Sequence, residues 1–306
     1  MNNLEQRLLE KLTDLHKLPS GAFSLRKNGE SQTLNSTKDI EIRKKTDKKG
    51  IDIIVNPNVK GKSIHIPVII TVGGLEDLVY NDFYIGENSD VLIVAGCGIH
   101  NKTCKTSLHN GIHSFHLGKN SRVEYVERHI GEGNGEGGKI LNPTTKIHLK
   151  SGAQMIMEST QLGGVTYTNR KTLAILEENA VLNIKENILT EENQTAKTQF
   201  KVDLKGKNSK VEVVSHSVAK ENSTQEFKSN LVGHNECFGH VECDGILLDN
   251  AQITSIPTVT AKDKNASLVH EAAIGKIAGD ELIKLQTLGL SEKEAEDVII
   301  EGFLLG

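Results

Sequence analysis

Tryptophan is absent from this chain of 306 residues, and aromatics make up only 4% of it. A core must then be filled mainly by Ile, Leu and Val, and an aromatic-lined sugar groove is poorly provided for. Cysteine is scarce as well. Four in 306 residues are too few for a disulfide scaffold, so thiols are expected. There is no excess of positive charge: the formal net charge is −4, which gives no general field for nucleic acid or an anionic membrane. No stretch approaches the roughly 18 apolar residues of a membrane span. The opening MNNLEQRLLEKLTDL carries Glu5, Glu10 and Asp14 and has no continuous apolar segment, so it does not read as a signal peptide. A cytoplasmic location is expected. No GxSxG, HExxH or paired-carboxylate pattern of a hydrolase stands out.

One motif must be set aside. GEGNGEGGKILNP (131–143) formally spells both GxGxxG and GxxxxGK. Ile140 stands where a phosphate loop needs Ser or Thr, Pro143 spoils the helix that would hold phosphate, and Glu132 and Glu136 would repel it. It reads as a flexible surface loop. Any ATP used by the system must be bound by another chain.

What is present is a succession of short β-type runs. Leu4, Leu8, Leu12 and Leu15 first form one helical stripe, stopped by Pro19 and Gly21. The lysine-rich RKKTDKK (43–49) reads as a solvated linker. From Ile51 the runs are four to eight residues long and separated by Gly, Asn, Ser and Asp, with no helical stripe between them. A βαβ sheet is thereby disfavoured. A turn followed by a small residue and an alternating apolar run recurs at Ser89, Ser121, Ala153, Ala180, Ser209 and Ala266. The intervals are 32, 32, 27, 29 and 57 residues, the last being about two repeats. Units this short cannot bury their own apolar face and must stack. The residue before the small one suits a left-handed corner. The fold expected is mainly β, a parallel β-helix, over residues 51–275. Residues 1–50 form a helical and linker region, and 276–306 a helical pair. In that pair Asp280 caps one helix, ended by Gly289, and Ser291 with Glu294 forms a capping box for the next. The pair serves either as a cap on the solenoid or as a docking element.

The residues able to carry chemistry fall in three places. The stretch from Gly239 to Gly275 holds Cys243, His270 and Glu271. This mixed thiolate, imidazole and carboxylate set suits iron or zinc and leaves a position open. Cys237 and His240 lie just before Cys243, and Cys97, Cys104, His100, His109, His113 and His116 are gathered in residues 96–116. Cys97, Cys104, His113, Cys237 and His240 are further metal-ligand candidates. Neither cysteine pair has the spacing of a zinc knuckle, but adjacent rungs of a solenoid bring ligands together without any short spacing. Cys237 and Cys243, six apart, share a face if Gly239 does not bulge the strand. A metal-dependent hydrolase or isomerase using the His100–His116 cluster is the alternative.

GHVECDG (239–245), SIPTVTAKDKNASLVHEAAIGKI (255–277) and LGLSEKEAEDVIIEGFL (288–304) resemble the SufB/SufD family of iron–sulfur cluster assembly scaffolds. AGCGIHN (95–101) and HNGIH (109–113) are similar to its short, SufB-like members of anaerobes and archaea. The likeness is specific over roughly the last 70 residues and collinear from about residue 60. It implies a right-handed β-helix and a scaffold that is not itself an enzyme. It implies a SufC-like ABC ATPase docked on the C-terminal helices. It implies a transient Fe–S cluster or persulfide sulfur held at Cys243 with His270 and Glu271 nearby. Such a scaffold hands its cluster to acceptor proteins and binds iron but no nucleotide. The short type is expected to pair with itself. Cys97 and Cys104 are the candidates for the cysteine that receives sulfur in longer members. A SufD-like helper role, without a cluster of its own, is the other family reading.

Overall fold

The computed structural model describes residues 2–15 and 21–305. Helix α1 (Asn3–Thr13) is followed by β1 (Ala22–Lys27), β2 (Glu30–Asn35), β3 (Ile40–Lys44) and β4 (Gly50–Val55). Then come β5 (Lys60–Ile70), β6 (Glu76–Ile85), β7 (Asp90–His100), β8 (Ser107–Leu117) and β9 (Arg122–Glu132). The next are β10 (Lys139–Leu141), β11 (Thr144–Leu149), β12 (Gln154–Leu162), β13 (Tyr167–Leu176) and β14 (Val181–Thr190). The last strands are β15 (Thr195–Leu204), β16 (Ser209–Ala219), β17 (Thr224–Gly233), β18 (Cys237–Leu247), β19 (Gln252–Ala261) and β20 (Ala266–Gly275). Helices α2 (Gly279–Thr287) and α3 (Glu292–Leu305) end the chain.

The strands alternate between two ten-stranded sheets. One runs β2-β1-β5-β7-β9-β12-β14-β16-β18-β20. The other runs from β19 back through β17, β15 and β13 to β3, with β10 and β11 sharing one rung. Pairing is parallel throughout the body, and only β1–β2 and β3–β4 are antiparallel. This is the expected β-solenoid, of about eight turns. Successive side chains point in and out, so each strand alternates between core and solvent.

The repeat has a physical cause at the corners. Asn58, Asn88, Asn120, Asn179 and Asn208 all adopt positive φ, a conformation that asparagine tolerates better than most residues. Their amides stack into a ladder, Asn120 on Asn88 and Asn208 on Asn179. The interval of 57 residues is two rungs, because Ser209 pairs with Cys237 and Cys237 with Ala266. The missing small residue of the repeat is therefore Cys237.

Three expectations change. Residues 22–44 hold β1–β3 rather than a linker, and RKKTDKK is the tip and one arm of the β3–β4 hairpin. The stripe of α1 ends at Thr13 with Asp14 in the left-handed region; Pro19 lies outside the described residues. Leu8, Leu9 and Leu12 bury against Phe23, Leu25 and Ile69. Gly96 and Gly98 of β7 let α1 approach, since a Cβ there would meet Leu12 at 3.1 Å and Leu8 at 3.2 Å. The interior is mostly aliphatic, as composition implies, yet Phe83 and Phe115 stack at 4.2 Å beside Tyr125 within it. The chain's few aromatics are concentrated there rather than spread.

The loop 131–138 opens into β10 and not into a helix, so it has no helix N-terminus to cradle phosphate. Its glycines stack on neighbouring rungs. A Cβ on Gly131 would lie 1.9 Å from the carbonyl oxygen of Gly164, and one on Gly135 2.4 Å from the amide of Thr103. Gly131→Ala is expected to lower stability by about 1–3 kcal/mol, because backbone must move to make room. An unchanged guanidinium midpoint would show that the two rungs are not in contact there.

The C-terminal pair does not cap the end of the solenoid. Ile300 and Leu304 of α3 bury with Val218 and Ile277 on the flank of β14 and β16, and Phe303 lies against His216. Capping the end is thereby replaced by folding back along one sheet. The last rung, β19 and β20, is left uncovered, and its inward positions are only partly buried.

Candidate functional site

Toward the middle of the last two rungs, Cys243 and His270 share the inner face. Cys243 on β18 is fully buried, with Ser215 in register one rung below and Ala272 one rung above. Burial pushes its thiol up to about 11. The nearby Ser255 hydroxyl of β19 works the other way, while the charges of Glu186 and Asp244 reinforce the rise. No regular hydrogen bond forms, and Oγ of Ser255 is left without a partner. His270 sits above Val241, in the column of side chains next to that of Cys243. Its Nε2 is buried and unpartnered. Burial and the neighbouring His240 lower its pKa, which keeps the ring neutral and able to bind a metal.

Glu271 lies across the sheet from this pair. Adjacent residues of a strand point to opposite faces, and Glu271 is 67% exposed, 3.8 Å from Nε2 of His240. His240 in turn is 3.9 Å from Glu212. The structure thus brings Cys243 and His270 to one face and gathers His240 and Glu271 on the other. Cys237 and Cys243 do share the inner face, since β18 alternates without a bulge at Gly239. Six residues along a strand nevertheless separate them by roughly 20 Å, too far to share an ion.

The cluster of residues 96–116 is dispersed. Cys97, His109 and His113 point inward and are buried. His100 is buried on the α1 side of β7, 3.7 Å from Glu132. His116 is on the outer face, stacked on Tyr84 at 5.1 Å. Cys104 is exposed in the loop after β7. No three His, Cys, Asp or Glu groups among the described residues enclose a metal as they stand. A hydrolase or isomerase centred on His100–His116 is not favoured by this dispersal.

Sequence reasoning missed the buried polar interior that these histidines belong to. Arg170 of β13 is 1% exposed, and it pairs with Glu127 at 2.5 Å and with Glu186 at 3.2 Å, while donating to Nδ1 of His129 at 2.8 Å. Burial would raise the Glu127 pKa, but the charges of His129, Arg170 and His113 and the Tyr125 hydroxyl bring it down to about 2. Glu186 is pushed up to about 7 by burial, which the same guanidinium only partly offsets. In one sheet the inward register runs Ala95, Glu127, Ser159, Glu186, Ser215, Cys243. The signal was present as inward parity: Val123, Tyr125, Glu127 and His129 alternate on one strand face.

The molecule is a two-sheeted parallel β-solenoid with a buried polar cluster in a mostly aliphatic core and soft donors at its uncovered end. Residues 81–303 match the family described as SUF system FeS cluster assembly, SufBD core domain. The chain belongs to the SufBD family of iron–sulfur cluster assembly proteins. It is 29% identical over 256 residues to an iron–sulfur cluster assembly SufBD family protein of Methanocaldococcus jannaschii, covering 82% of this chain and 79% of that one. A Pyrococcus horikoshii SufBD family protein is 29% identical over 284 residues, covering 89% and 83%. A chloroplastic SufBD family protein of Arabidopsis thaliana is 28% identical over 205 residues, covering 64% of this chain and 37% of that one.

Proposed function

We propose that this chain is the cluster-building scaffold of a SUF-type complex, in which nascent Fe–S cluster is formed at the open end of the solenoid and passed to acceptor proteins. The observation that carries this is the placement, on the inner face of the uncovered end, of the Cys243 thiol and an unpartnered imidazole nitrogen of His270 in neighbouring columns. A thiol pushed up to about 11 is protonated at neutral pH. It becomes a ligand when a cation such as iron displaces its proton. Glu271 and His240, across the sheet, would hold iron on its way in or out. A mixed donor set should release its cluster more readily than four thiolates.

A second copy of this chain would cover the open end. The edges of β19 and β20 present unpaired backbone groups, and Ile256, Val259 and Ile274 are exposed beside them. A SufC-like ABC ATPase would dock on the C-terminal pair, where Ile283, Leu288 and Val298 are exposed. ATP turnover there would bias the arrangement of the dimer. No helix among the described residues is long and apolar enough to cross a membrane. The complex is proposed to be cytoplasmic.

Cys243→Ser is expected to fold normally, because Ser215 already fills the same column one rung below, yet to lose cluster after anaerobic reconstitution. Iron, acid-labile sulfide and visible absorption measure this. Retention equal to wild type would reject Cys243 as a required ligand. A wild-type chain that captures the host's ABC ATPase but never holds cluster would assign the SufD-like helper role instead.

A further inference from the structure

Five to six rungs behind that end, the interior holds a small void of about 10 Å³ bordered by Cys97, His109, Gly111, His113, Glu127 and His129. A space of this size takes one water or one bare ion, and is far too small for a cluster.

The hydrogen bonds around it settle which nitrogens face it with lone pairs. Nδ1 of His109 is 3.1 Å from Oδ2 of Asp77, whose carboxylate is itself paired with Arg26. A carboxylate only accepts, so Nδ1 carries the proton, and the tautomer that leaves a lone pair has it on Nε2. The Tyr125 hydroxyl donates to Oε1 of Glu127 at 2.9 Å, so its oxygen receives the Nδ1 proton of His113 at 2.7 Å. Nε2 of His113 is again an acceptor, with only the Asn81 amide at 3.4 Å nearby. His129 is the reverse case. Its Nδ1 accepts from Arg170, so its Nε2 bears the proton and does not ligate. Both Glu127 oxygens are engaged, one with Tyr125 and one with Arg170.

The two acceptor nitrogens converge, that of His113 giving up its long contact with the Asn81 amide to bind anything else. His109 and His113 flank Gly111 on β8, and all three face inward. A Cβ built on Gly111 would stand 3.2 Å from Nε2 of His109 and 3.4 Å from Nε2 of His113. The gap between the rings exists because residue 111 has no side chain. Cys97 borders it from β7 of the other sheet, 1% exposed. The Asp77–His109 contact has the form of the carboxylate–histidine–metal arrangement that orients a ligating ring.

We propose that this void is a resident site for a single divalent ion of the zinc or ferrous type, held by Nε2 of His109, Nε2 of His113 and the thiolate of Cys97. It is distinct from the cluster site at Cys243 and does not rest on it. As the donors stand they do not yet enclose an ion. Loading requires the Cys97 side chain to turn toward the two rings and its thiol proton to leave. A fourth position falls to the space now open, as in three-ligand zinc sites. The competing occupant is a water donating one hydrogen bond to each Nε2.

The test is anaerobic loading of the full chain with Co²⁺, in parallel in wild type and in the Cys243→Ser background. The expected result is one tightly held ion with tetrahedral ligand-field bands and a thiolate charge-transfer band, the same in both. Cys97→Ala should lose the charge-transfer band. Gly111→Ala, which leaves every donor in place and fills the gap with a methyl group, should lose the ion while keeping the wild-type circular dichroism. The proposal is overturned if no ion survives gel filtration, if Gly111→Ala keeps it, or if the thiolate band disappears in Cys243→Ser but persists in Cys97→Ala.

Discussion

Arg170→Met is expected to cost about 3–5 kcal/mol of folding stability, the scale seen when one partner of a buried ion pair is removed. The guanidinium is among the largest fully buried side chains of the molecule and faces two carboxylates from the opposite sheet. Glu127, held down to about 2, is ionised at neutral pH, so the variant leaves an uncompensated charge in an interior without bulk water. Glu186, already pushed up to about 7, escapes by taking a proton. The loss should therefore trace to Glu127. Adding Glu127→Gln to Arg170→Met should restore most of it, because no charge is then stranded. Guanidinium unfolding at pH 7.5 measures both. A single variant within 1 kcal/mol of wild type would mean that water enters the interior and solvates Glu127 there.

That interior marks the limit of what could be read from the chain. The solenoid was legible because corner chemistry repeats: Asn88, Asn120, Asn179 and Asn208 each take the same left-handed turn ahead of a buried small residue. The rung at Cys237 was hidden only because cysteine stands where serine or alanine recurs. The hairpin at residues 40–55 was missed because its lysines resemble a solvated linker, while Lys45 is in fact ion-paired to Asp52 and Asp82. Cys243 and His270 stand out in the sequence by their donor chemistry, whereas their separation from Glu271 follows only from strand parity. The same alternation that puts His270 inside must put Glu271 outside. Glu127, His129, Arg170 and Glu186 were overlooked for a different reason. Each is a charged or polar residue in an apolar alternation, and such residues are ordinarily solvated. Only the register of separate rungs shows that they meet, and register is a property of the stacked fold rather than of any one strand.

The same group of side chains should make the metal-free protein acid-labile well above the usual carboxylate range. Burial brings His129 down to about 3 and His113 down to about 4, against opposition from the charge of Glu127. A folded-state pKa below the unfolded value of 6.5 means that the unfolded chain takes up protons first. The stability contributed by these rings is fully present above pH 6.5 and is lost as pH falls toward their folded values. Glu186 acts in the opposite sense. Its folded pKa of about 7 exceeds the usual 4.5, so between those two values the folded chain holds one more proton there. From pH 6.5 to 4.5 two histidine protons are thus opposed by one, and stability should fall by about 1.4 kcal/mol per pH unit. Below pH 4.5 the unfolded chain also protonates Glu127 and Glu186, and the decline should steepen about threefold. Guanidinium midpoints of chelator-treated protein between pH 7.5 and 4 measure the curve. Glu186→Gln removes the opposing proton and should double the slope between pH 6.5 and 4.5. A midpoint that is level or rises as pH drops through that window would show that His113 and His129 protonate freely in the folded chain, which a closed interior does not permit.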